Sequence, residues 1–200
     1  MGDDKRKQII DVALKRFSHF GITKTSMSEI AEDLKLSKAN LYYYFPDKFA
    51  LIEAIGDMIM EETLELVTKA LREINGTLHL LVYMLDIKQT YLLKYHMLIL
   101  DLHQVNVNDE RMAALSKRMF DREVETISKI LKKGMEDGEL VTLDPSATSE
   151  LYVSMIRGLA MFCSNMLPQP FVDKEGVIAI INRQKQASEI LINGIKRKSA

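Results

Sequence analysis

Apolar residues return every three or four positions along most of this 200-residue chain, and no stretch alternates apolar and polar residues for the length of a strand. Ile10, Ala13, Leu14 and Phe17 share one face of a first helix, which Gly21 closes. Ser26 and Glu29 have the S-x-x-E spacing of a capping box, opening a second helix that runs to about Leu34. Lys35-Leu36 then make a turn, and Ser37 caps a short third helix from Lys38 to about Tyr44. Phe45-Pro46-Asp47 stops that helix and starts a fourth, with Asp47 as its N-cap.

The same periodicity continues downstream. Leu51, Ile55, Met58, Ile59, Leu66 and Leu71 mark a long helix from Lys48 to about Ile74, broken by Asn75-Gly76. A helix or helix pair follows to about Val105, and Asn106-Val107-Asn108-Asp109 reads as a loop. Residues 110–137 form a long amphipathic helix ended at Gly138. Asp144-Pro145 pairs an N-cap with proline in the first helical position and opens a helix to about Met166. Leu167-Pro-Gln-Pro170 breaks it, and a last helix runs from about Lys174 to Lys196. The expected fold is all-α, with about nine helices and no internal repeat.

Composition narrows the class. The chain is 47% apolar and 28% charged, which suits a globular protein with a sizeable core. No apolar run reaches the roughly 18–20 residues that cross a bilayer, and MGDDKRKQ has no signal-peptide core, so no membrane is expected as a partner. Cys163 is the only cysteine, which forbids an intrachain disulfide and fits a reducing cytoplasm. Net charge is −1, against a protein that coats nucleic acid everywhere. Residues 1–48 nevertheless hold nine Lys/Arg against seven Asp/Glu, leaving the remainder at −3.

The segment 26–48, SMSEIAEDLKLSKANLYYYFPDK, is the hardest to explain as scaffold. Three consecutive tyrosines on a helix cannot all face inward, because successive positions point about 100° apart. If Ile30, Ala31 and Leu34 pack against Leu36, Leu41 and Phe45, the two short helices form a helix-turn-helix. Lys38, Ala39 and Asn40 then point outward. Asn40 suits a bidentate contact to adenine, and Ala39 a close approach or a thymine methyl. The tyrosine hydroxyls, Lys48 and the free N–H groups at the start of the fourth helix suit phosphates. A capped three-helix cluster without DNA is the structural alternative.

The stretch IIDVALKRFSHFGITKTSMSEIAEDLKLSKANLYYYFPDKFALI resembles the DNA-binding domain of TetR-family transcriptional regulators, with similarity from about Lys5 to Ile55. Its most specific part is S-K-x-N-L-Y-Y-Y-F-x-x-K. The resemblance implies recognition-helix contacts at Lys38, Ala39 and Asn40, phosphate contacts at Tyr42, Tyr43 and Lys48, and Ser37 as cap. Tyr44 completes the candidate DNA-binding set. One residue departs from the pattern: the family's turn usually has glycine where this chain has Lys35. A left-handed backbone there would cost about 1 kcal/mol or more. The implied organisation is a DNA-binding domain over 1–47 and a larger helical effector-binding and dimerisation domain over 48–200.

Ten of the twelve methionines lie at or after Met58, and methionine is favoured where a surface adapts to varied ligands. Tyr83, Met84, Tyr91, Tyr95, Met97, Met119, Phe120 and Met155 are candidate lining for a hydrophobic effector pocket, with ordinary core filling as the alternative. The helix over 145–166 is apolar on more than one face, so Leu151, Met155, Gly158 and Phe162, with Ile190 on the last helix, are the candidate dimer interface. His96 and His103, near Asp101, lie too far apart for the i, i+4 pair of a helical metal site. No metal or cofactor is expected. Neither GxSxG, HExxH nor a P-loop occurs, so no enzyme is expected. The resulting expectation is a cytoplasmic homodimeric repressor, released from a double-stranded DNA operator by a hydrophobic or amphipathic effector. An activator or a ligand-independent regulator stays open beside it, and an α-helical enzyme or adaptor more remotely.

Overall fold

The computed structural model describes residues 2–96, 98, 110–166 and 173–197. Among these are eight helices: α1 (Gly2–Phe20), α2 (Met27–Asp33), α3 (Lys38–Tyr44), α4 (Lys48–Glu73), α5 (Thr77–Lys94), α6 (Glu110–Glu136), α7 (Pro145–Met166) and α8 (Lys174–Ile195). The only extended pairing among the described residues is an isolated bridge between Leu140 and Lys196. The fold is all-α, as its spacing predicts. Asp101, His103, the expected loop at 106–109 and the break at 167–170 lie outside the described residues. None of the described helices is long and apolar enough to cross a membrane.

Helix ends follow the local chemistry. The Ser26 hydroxyl accepts from Glu29 N while the Glu29 carboxylate accepts from Ser26 N, a complete capping box on α2. Ser37 caps α3 by accepting from Asn40 N at 3.2 Å, and Asp173 caps α8 by accepting from Gly176 N at 2.7 Å. Asp144 Oδ1 accepts from Ser146 N and Ala147 N ahead of α7.

Two compact units divide the chain. The first comprises Met1–Glu62 and Tyr95–Ala113, so the opening of α4 belongs to it. Its core joins Ile9, Ala13 and Phe17 of α1 to Ile30 and Ala31 of α2, Leu41 and Phe45 around α3, and Leu51 and Ile55 of α4, all buried. The second comprises Thr63–Lys94 and Ala114–Ala200. There α8 packs against both α5 and α7, around Leu80, Leu81, Ile130, Leu131, Val153 and Ile181. One apolar position departs from the sequence pattern. Leu66 is exposed, while Val67 and Ala70 are buried and Leu71 packs against them. The inward stripe of α4 therefore shifts by one residue in its second half, because burial follows the neighbours that α4 meets and not the size of each side chain.

Candidate functional site

The first unit builds a helix-turn-helix from short-range bonds and one long-range lock. At the end of α2, Leu36 N donates to Ala31 O at 2.8 Å and Lys35 N to Glu32 O at 2.9 Å, the pair of bonds that defines a Schellman turn. Lys35 occupies its left-handed position with φ +52°. The departure noted in sequence is therefore a strained residue in an otherwise regular turn. Arg16 of α1 holds α2 from outside, its Nε 2.5 Å from Asp33 Oδ2 and its Nη1 3.3 Å from Glu29 Oε1. The hydrogen bond from Arg16 holds the Asp33 carboxyl below its ordinary range. Glu29 is held low chiefly by its bonds within the capping box. Arg6 of α1 adds a cation–π contact, 4.9 Å over the Phe45 ring.

Held this way, α3 presents one face outward. Leu41 and Phe45 are fully buried, whereas Ser37, Lys38, Ala39 and Asn40 are exposed. The tyrosines divide by helical angle: Tyr43 is 82% exposed, Tyr42 47%, and Tyr44 half-buried. Tyr44 stands edge-on to Tyr43 with ring centroids 5.3 Å apart, so it steadies the most exposed ring. An amide, an ammonium, a small residue and two phenols thus share a solvent-facing surface on a short helix whose other side is core.

The start of α4 is more occupied than the sequence suggests. Lys48 Nζ donates to Ile22 O and to Thr25 O, both at 2.8 Å, tying α4 to the turn after α1. One of its three N–H groups remains for a phosphate. The Asp47 carboxylate accepts from Ala50 N at 2.7 Å, so the helix end read as a phosphate cradle carries its own anion. Arg111, in the first turn of α6, bonds Asp47 at 2.7 Å and Glu53 at 3.2 Å and stacks 4.3 Å over Phe49. That hydrogen bond is the largest reason the Asp47 carboxyl sits below its usual range. Sequence reading missed both Arg16 and Arg111. Their partners are 17 and 64 residues away, beyond any local pattern.

In the second unit, Tyr83, Met84, Tyr91, Phe120 and Met155 all pack, partly buried, against one hydrophobic core. Met119 is half-buried, Tyr95 is buried in the first unit, and Met97 lies outside the described residues. A surface groove of about 440 Å³ involves none of these residues; Asp121, Val124, Glu125, Lys129 and Lys132 help to line it. Of the interface candidates, Leu151 is 64%, Phe162 57% and Ile190 75% exposed, with Met161 at 70% beside them. Gly158 is exposed, and a Cβ added there would meet nothing. Met155 turns inward to the core. Cys163 is buried. Among the described residues no cluster of His, Cys, Asp and Glu could hold a metal.

Comparison with known proteins adds to this geometry. Residues 9–55 match the family model described as bacterial regulatory proteins, tetR family. The helix-turn-helix-type transcriptional regulator YuxN of Bacillus subtilis is 42% identical over 60 residues, 30% of this chain and 21% of the relative. RutR of Escherichia coli is 46% identical over 57 residues, and the match again covers about a quarter of that protein, 27%. The match thus spans only about a fifth to a quarter of these relatives. A solved structure of a transcriptional regulator from Cytophaga hutchinsonii superposes with a TM-score of 0.84 at 25% identity, covering 96% of this chain and 99% of that one.

Proposed function

We propose, since this chain belongs to the tetR family of bacterial regulatory proteins, that it is a cytoplasmic, DNA-binding transcriptional regulator working as a homodimeric repressor that a small effector releases from its operator. The observation that carries DNA binding is the outward face of α3, where Lys38, Ala39, Asn40, Tyr42 and Tyr43 are exposed on a helix anchored by Leu41 and Phe45. Such a helix enters the major groove with its first residues at the base edges. Asn40 reads a base, Lys38 reads a base or a phosphate, and Tyr42 and Tyr43 fix register on the backbone. Members of the family are regulators and not enzymes.

Dimerisation is supported by α7. Leu151, Ser154, Gly158, Met161 and Phe162 are exposed at helical spacing, a wide apolar stripe for a monomer to leave in water. Two copies joined through α7 and α8 would place two recognition helices on half-sites about 34–36 Å apart. Effector release draws its support from α4 and α6. Arg111 ties the first turn of α6 to Asp47 and Glu53, on either side of Lys48 and Phe49, so a shift of α6 is felt at the base of the DNA-binding helices. An effector need favour the released geometry by only about 1–3 kcal/mol.

A footprint on the promoter of the protein's own operon tests the reading. The double variant Lys38→Ala with Tyr43→Ala is expected to lose the footprint while keeping its helical circular dichroism, and unchanged operator affinity sinks the site. Deleting the gene separates repression, where reporter expression rises, from activation, where it falls.

A further inference from the structure

Lys35 has no task in the DNA-binding reading above, although it is the strained residue of the turn. Its backbone stands at φ +52°, a conformation that glycine adopts freely and a residue with a Cβ adopts at a cost. The turn needs nothing from the side chain. Its bonds, from Lys35 N to Glu32 O and from Leu36 N to Ala31 O, join backbone atoms alone. The residue is exposed, so no core packing offsets the cost. Its ammonium makes no hydrogen bond or ion pair among the described residues. The neighbouring Asp33 carboxylate is taken by two bonds from Arg16, at 2.5 and 2.8 Å. A strained residue whose side chain serves neither the turn nor the core is a pointer to function.

Resting on the reading that α3 enters the major groove, we infer that Lys35 is a further DNA contact, its ammonium binding a backbone phosphate at the rim of the groove. It comes three residues before Lys38, so no more than about 11 Å of backbone separates them. Ser37, Lys38, Ala39 and Asn40 are exposed without a break, and the first residues of such a helix meet the base edges. The chain that delivers them to the groove floor crosses a phosphate strand just before them, and Lys35 is the cation at that crossing. Helix α3 has seven residues and is about 10 Å long, close to the groove's width of about 12 Å. Beyond its far end, Lys48 spends two N–H groups on Ile22 O and Thr25 O and keeps the third for a phosphate. Lys35 and Lys48 thus bracket the recognition helix. A phosphate contact carries no sequence information, so Lys35 adds affinity and register but no base preference.

Fluorescence anisotropy of the full-length protein tests this at salt from about 50 to 200 mM, the range over which phosphate contacts weaken most visibly. One duplex comes from the promoter of the protein's own operon, the other is a scramble of the same composition. Lys35→Gln keeps the Cβ and removes the charge, Lys35→Arg keeps both, and Lys35→Gly removes both. In Lys35→Gln and Lys35→Gly the slope of log affinity against log salt is expected to become shallower by about 0.9 per protomer. Over that range the affinity of a parent dimer then falls about tenfold further than theirs. Both duplexes should weaken alike, and Lys35→Arg should keep the parent's slope. Lys35→Gly should melt no lower than the parent, which separates a lost contact from a lost fold. A parental slope in Lys35→Gln overturns the inference, as does a change in Lys35→Gly alone, which assigns the effect to the backbone of the turn. A loss confined to the promoter duplex overturns it too, being the sign of a re-posed α3. If the parent binds neither duplex, the DNA-binding reading and the Lys35 contact fall together. If the parent binds and Lys35→Gln matches it, the Lys35 contact falls alone.

Discussion

Lys35 shows how one residue can be legible as an exception. Its φ of +52° puts a Cβ where glycine would carry none, in a turn whose hydrogen bonds are otherwise regular. Lys35→Gly relieves that strain but loosens the unfolded chain, so a net gain of about 0.5–1 kcal/mol is expected. A raised urea midpoint with unchanged m-value would show it. The two arginine locks make the first unit acid-sensitive in a definite direction. Arg16 lowers the Asp33 pKa and Arg111 lowers that of Asp47. The unfolded chain therefore takes up protons first, from about pH 4 downward. Stability from these carboxylates is complete above that pH and is lost as pH falls through their lower folded values. Asp33→Asn and Asp47→Asn should each flatten the fall in urea midpoint measured from pH 6 to pH 3. A fall as steep as the parent's would remove the locks from the account.

Elements meet where small residues allow it. Gly134 of α6 lies against the start of α5. A Cβ there would overlap the Thr77 hydroxyl and press on Leu140 Cδ1 at 2.9 Å. Thr77 cannot swing aside freely, because its N and Oγ1 both donate to Glu139 Oε2, at 2.7 and 2.8 Å. Gly134→Ala is therefore expected to cost about 1–3 kcal/mol, the range for overpacking a filled site. A thermal melt reads this, with Gly194→Ala as the control because its Cβ would enter open space. The α7–α8 contact is fixed differently, by buried polar groups. Tyr152 and Ser188 share a hydrogen bond of 2.8 Å, and Gln184 Nε2 donates to Ile156 O at 2.7 Å. Burial pushes the Tyr152 hydroxyl up to about 12, so it stays a neutral partner at any physiological pH. Groups of this kind set the register between two helices whose apolar faces alone would let them slide.

For the whole molecule, the proposed dimer and the DNA contact should fail together when the outer stripe is charged. Ile190→Asp with Phe162→Asp places like charges on a surface that meets its own copy, and both side chains are exposed in the monomer. The variant is expected to stay helical, to sediment at the mass of one chain, and to lose most of its operator affinity. The half-site spacing is read only by two linked recognition helices. A variant that remains a dimer would move the interface elsewhere.

Much of this fold can be read without coordinates. Helix α3 runs from Lys38 to Tyr44 as its caps predict, and α7 from Pro145 to Met166. The capping box at Ser26 and Glu29, the Ser37 cap and the exposed face of α3 follow from interactions that span four residues or fewer. Tertiary structure alone decided how Lys48 and Asp47 are used, because Ile22, Thr25 and Arg111 come from distant turns of chain. It also buried Val67 and Ala70 in place of Leu66. The reason is common to all of them. Capping and periodicity are local and written in spacing, whereas the desolvation of a charge or the burial of a side chain depends on which helix packs above it.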